Sequence, residues 1–102
     1  LRAAVEGFLR EWWAPMLENP VRLQSAEYQA YAVLSMCRAL HTLAEGTIVS
    51  KPVAAQWAKL KFGEPWATMI EDALAWRAGK PFTHFEDAVA LIRYTVLQAA
   101  KG

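Results

Sequence analysis

Apolar residues recur at helical spacing through almost the whole of this chain, and no stretch sustains the two-residue alternation of a half-buried strand. This periodicity predicts an all-α fold. Val5, Phe8, Leu9, Trp12, Trp13 and Met16 place a first helix over about Leu1 to Leu17, weakened at Gly7 and ended or kinked at Pro15, with Asn19 and Pro20 as connector. Ser25, a good N-cap with Glu27 in the following turn, opens a second and longest helix that stops at Gly46. Tyr28, Tyr31, Leu34, Cys37, Leu40 and Leu43 form its apolar stripe. Thr47, Ile48 and Val49 are β-prone but too few for a sheet, and are expected as an extended linker.

Ser50 caps a third helix with Pro52 in its first turn, running through Trp57 to Phe62 and ending at Gly63. A fourth opens at Pro65, carries Trp66, Met69, Ile70, Ala73, Leu74 and Trp76, and closes at Gly79. Thr83 and Glu86 make a capping-box pair for a fifth, which extends to about Ala100 with Phe85, Val89, Ile92, Val96 and Ala99 inward. With no repeat or second-domain linker in view, residues 1–102 are predicted to form one domain, a compact bundle of about five helices with short loops.

Eleven Lys and Arg against ten Asp and Glu leave a net charge of +1, which lacks the basic footprint of a nucleic-acid binder. No segment reaches the ~20 apolar residues of a membrane span. Cys37 is the only cysteine, so no internal disulfide forms, and a reducing cytoplasm is the expected location. Hydrophobic residues make up 55% of the chain and charged residues 21%, and five residues are Trp, so disorder is excluded and the aromatics must be covered. One of the adjacent Trp12 and Trp13 is expected in the core and the other at an interface, Trp57 in the core and Trp66 at the bundle edge. The apolar excess and the initial Leu together predict a piece of a longer protein.

The chemical inventory is sparse. Cys37 and His41 share a helical face four residues apart, but two ligands do not close a tetrahedral zinc site, and a buried, satisfied pair is the expected reading. No Gly-rich phosphate loop, Gly-x-Ser-x-Gly elbow or Asp-x-Asp pair occurs. Catalytic and metal-ligating residues are therefore not expected within these residues. Two cations remain: Arg38, in an apolar segment, and Lys51, at the positive end of a helix dipole. Both suit phosphate. The competing reading pairs Arg38 with Glu45 or Asp72 and leaves Lys51 solvated.

The order of these residues is informative in itself. Leu34-Ser-Met-Cys37-Arg38 on the second helix, Ser50-Lys51-Pro-Val-Ala54-Ala-Gln-Trp57-Ala58 at the start of the third, and Ile70-Glu-Asp-Ala-Leu-Ala-Trp76 resemble the C-terminal helical domain of streptomycin/spectinomycin adenylyltransferases. The resemblance covers most of the chain and is sharpest from Tyr31 to Ala58. It implies a two-domain enzyme in which an N-terminal nucleotidyltransferase domain, with Asp-x-Asp carboxylates holding Mg, transfers AMP from ATP to a hydroxyl of an aminocyclitol. The helical domain then closes the cleft. Arg38 and Lys51 would reach the ATP phosphates, and Trp76 would stand where the family has an aromatic near the nucleotide.

Where the family places acidic and polar residues against the drug, this chain has Gln24, Tyr28 and Tyr31, with Glu27 the nearest carboxylate. An unspecified small-molecule hydroxyl acceptor is therefore expected rather than streptomycin. Two other functions compete with this reading: a non-catalytic binding or structural domain, and an RNA-cleaving toxin-type domain, for which Arg77 and His84 have a formally suitable spacing.

Overall fold

The computed structural model describes residues 1–101, and among them five helices and no strand form the bundle that the periodicity predicts. The first, α1 (Arg2–Phe8), runs on through a π-helical turn (Leu9–Trp13) into a last turn (Ala14–Met16). Pro15 neither ends nor breaks it. Pro15 has no N–H to offer Glu11, and the wide turn before it lets the Ala14 N–H reach back to the Leu9 carbonyl instead. Leu9, Trp13 and Met16 are buried, whereas Phe8 and Trp12 stay at the surface, so the inward face is narrower than the spacing suggests.

A 3-10 turn (Val21–Gln24) leads into α2 (Ala26–Glu45), the hub on which every other helix packs. Buried Gln29 donates from Nε2 to the Leu23 carbonyl at 2.7 Å and so pins the turn that carries Gln24. Both predicted ends of α2 are present. Ser25 Oγ accepts from the Tyr28 N–H at 3.1 Å, and Gly46 adopts φ +78°, the left-handed conformation that closes a helix without a Cβ penalty. Arg2 covers that C-terminus, its Nε donating to the Leu43 carbonyl at 3.1 Å. The buried arc of α2 differs from the expected stripe. Ala30, Val33, Met36, Cys37 and Leu40 are buried, while Tyr31 is 41% exposed, because neighbours on several sides cover the small residues and leave the tyrosine at the rim.

After an irregular linker at Thr47, Ile48 and Val49, α3 (Lys51–Phe62) starts from Ser50 and ends at Gly63 as predicted. A three-residue turn joins it to α4 (Trp66–Ala75), and a Lys59–Glu71 ion pair ties the two as a helical hairpin. Glu64 caps α4, accepting from the Thr68 N–H at 3.0 Å and from its hydroxyl at 2.9 Å. The fourth helix is shorter than expected. It ends at Ala75, and Trp76 turns to extended backbone (φ −62°, ψ 138°) with its indole N–H on the Lys80 carbonyl at 2.8 Å.

The last helix, α5 (Phe85–Lys101), begins without the expected Thr83–Glu86 capping box; its first turn closes from the Ala88 N–H to the His84 carbonyl at 2.8 Å. Ala88, Leu91, Ile92 and Thr95 face the core, and Phe85 is exposed. Trp57, Phe62, Trp66 and Tyr94 stack edge to face along one side of the bundle, which accounts for two of the five tryptophans.

Candidate functional site

Arg38 and Lys51 sit on two sides of the α2–α3 junction. Arg38 Nε donates to the Val49 carbonyl at 3.0 Å, and this bond holds the linker against α2 while leaving the outer guanidinium nitrogens without a carboxylate. Lys51 Nζ lies 5.1 Å from the centre of the Tyr31 ring, close enough for a cation–π contact. Tyr31 precedes Arg38 by seven residues on α2, two turns and about 10 Å along one face. Tyr31 and Arg38 therefore share one face of α2 and one groove, and Lys51 lies over the Tyr31 ring. Among the described residues neither has an acidic partner, and Asp72, one of the two carboxylates that competed for Arg38, bonds His84 at 2.7 Å instead.

The N-terminus of α3 contributes less than the sequence suggests. Pro52 has no N–H, the Val53 N–H goes to Ser50 Oγ at 3.4 Å, and the Ala54 N–H closes on the Ser50 carbonyl at 3.0 Å. Only the Lys51 amide is left, so an anion here would rest mainly on side-chain charge and the helix dipole.

Three of the four proposed acceptor residues open α2 or lie in its first turns. Tyr28, Tyr31 and Trp13 form an aromatic cluster, with Tyr28 and Tyr31 5.4 Å apart edge to face and Trp13 6.1 Å from each. Tyr28 Oη accepts from the Trp12 indole at 3.2 Å. Gln24, on the 3-10 turn, and Glu27 are exposed. Beside Tyr31 and Arg38, a groove of about 330 Å³ runs between α1 and α2. Trp76 lines a different pocket, with Asp72, Lys80 and His84. That pocket shares no lining residue with the groove beside Arg38.

The family profile described as "Aminoglycoside adenylyltransferase, C-terminal domain" matches residues 10–101, nearly the whole chain. The chain belongs to that family. Comparison with curated proteins and with solved structures gave no significant match. Within the adenylyltransferase domain, the π-helical turn from Arg10 to Trp13 falls inside the matched residues, and α1 (Arg2–Phe8) and Leu9 fall before them.

No group of three or more His, Cys, Asp or Glu side chains suited to a metal occurs among the described residues, and none of their helices is long and apolar enough to cross a membrane. Arg77 donates to the Leu74 and Trp76 carbonyls, and His84 bonds Asp72 while its ring packs edge to face with Phe82, so the two residues of the RNA-cleaving reading are engaged separately. His41 sets its Nδ1 3.4 Å from the Thr47 carbonyl and its ring edge against Trp57, as expected of a satisfied buried histidine.

Burial pushes the Cys37 thiol from its usual 9.0 up to about 12. At pH 8 the folded chain should therefore react with Ellman's reagent far more slowly than the chain unfolded in urea. Equal rates would contradict this burial. Because the native state keeps a proton that the unfolded state releases, Cys37 should lower stability as pH rises from about 9 toward 12.

Proposed function

We propose that this domain closes over the nucleotide of an aminoglycoside-type adenylyltransferase, with Arg38 and Lys51 on the ATP phosphates and the acceptor against the Tyr28–Tyr31 end of α2. The observation that carries this reading is the pair of cations without carboxylate partners, one held in place through Nε and the other over an aromatic ring. Cations left unpaired on an apolar surface favour an anionic ligand.

The catalysed step is AMP transfer. The acceptor's hydroxyl oxygen bonds to the α-phosphorus of ATP, the bond from that phosphorus to the α–β bridging oxygen breaks, and pyrophosphate leaves with the electron pair. The hydroxyl proton would pass to a base on the N-terminal nucleotidyltransferase domain, whose carboxylates would also hold Mg and so supply screening of phosphate charge. On this side of the cleft, Arg38 offers its free guanidinium N–H groups and Lys51 its ammonium to oxygens that gain charge as pyrophosphate departs. Trp76 would border the nucleotide from the end of α4.

Lys51→Ala in the whole enzyme should raise the KM for ATP about tenfold with a smaller change in KM for the acceptor. Steady-state pyrophosphate release measures both. An unchanged ATP dependence would remove Lys51 from the site.

A further inference from the structure

The groove between α1 and α2 suggests which kind of acceptor the domain takes. We propose that it binds an uncharged, largely apolar hydroxyl compound as AMP acceptor, in place of a polycationic aminoglycoside. The inference rests on the adenylyl-transfer reading given above, and it is drawn from the lining of the groove.

Phe8, Tyr31 and Ile48 supply exposed aromatic and aliphatic walls over a floor of buried Trp13 and Met36, and Arg38 is the only charged residue lining the groove among those described. Its volume of about 330 Å³ suits a one- or two-ring molecule. Phe8 and Ile48 are 53% and 59% exposed, so the groove offers open apolar surface that an apolar body would cover.

An ammonium or guanidinium group placed there would shed its water without gaining a counter-charge. It would also face the Arg38 cation. Glu27, the acidic residue nearest in sequence, is exposed on the first turn of α2 and does not line the groove. The hydroxyls of Tyr31, Ser35 and Thr42 lie on the wall, and the Thr42 hydroxyl already donates to the Thr47 carbonyl at 3.0 Å. That leaves Ser35, three residues before Arg38 on α2, and Tyr31 to orient a ligand hydroxyl toward Arg38, the residue assigned to phosphate. An acceptor seated this way brings its oxygen to the edge of the nucleotide site, as transfer of AMP requires.

Calorimetric titration of the whole enzyme without nucleotide tests the proposal with two probes, 2-(2-naphthyl)ethanol and streptomycin. The naphthyl alcohol should bind at least about tenfold more tightly, and Ile48→Asp, a change at an exposed linker residue outside the helices, should weaken it and strengthen streptomycin. Ser35→Asp, with far-UV circular dichroism as a check on folding, should do the same from the α2 wall. Streptomycin binding as tightly as the alcohol, no binding of the alcohol, or binding of the alcohol indifferent to Ile48→Asp would overturn the proposal. With ATP omitted, failure here is separate from failure of Arg38 and Lys51 to bind phosphate, which the ATP dependence of the whole enzyme reports.

Discussion

Trp13→Ala is expected to lower the stability of the domain by about 3–5 kcal/mol, the range for removing a fully buried large aromatic. Trp13 is 1% exposed and lies 6.1 Å from both Tyr28 and Tyr31, so its removal opens a cavity at the joint between the π-helical turn and α2. Aromatic pairing adds to the loss. Against a total of about 5–15 kcal/mol for a domain, this is a large fraction. Trp12, the next residue along the chain, is the control. It is 39% exposed, stacks on Phe8 at 6.3 Å and carries Arg22 over its ring, so Trp12→Ala should cost about 1 kcal/mol. Urea denaturation of both variants gives the comparison, and equal losses would contradict the assignment of Trp13 to the core. The loss should also reach the site, since Trp13 supports the tyrosine over which Lys51 lies.

The features legible in the sequence are the ones that local chemistry decides. Ser25 and Gly46 bound α2, and Ser50 and Gly63 bound α3, because caps and left-handed glycines act within a turn of their own residue. The misread features depend on distant partners. Trp76 leaves the helix since its indole finds the Lys80 carbonyl, and the interior Ala and Met residues of α2 carry too little periodic signal to reveal that several neighbours cover that arc. Arg2 on the end of α2 and the groove beside Arg38 join segments about forty residues apart in sequence, and no spacing rule reaches that far. Of the candidate site, Arg38 and Lys51 are readable in the sequence as cations; the Tyr31 ring under Lys51, the Arg38 bond to the linker and their lack of acidic partners are tertiary facts.

Arg38→Ala in the whole enzyme is expected to lower kcat/KM for ATP about 10²–10³-fold, the usual loss when a donor to developing phosphate charge is removed. The same change frees the linker, because the bond from Nε to the Val49 carbonyl goes with it, at a net cost of about 0.5–1.5 kcal/mol. Arg38→Lys separates the two effects. Lysine keeps the positive charge without the fixed fork, so part of the catalytic loss should be recovered, while the melting temperature should stay close to that of Arg38→Ala. The most direct measurement is the ATP dependence of pyrophosphate release by Arg38→Ala at a temperature where it is fully folded. A fall of two to three orders of magnitude in kcat/KM for ATP is expected; a value within about twofold of the unmodified enzyme would contradict the placement of Arg38 on the phosphates.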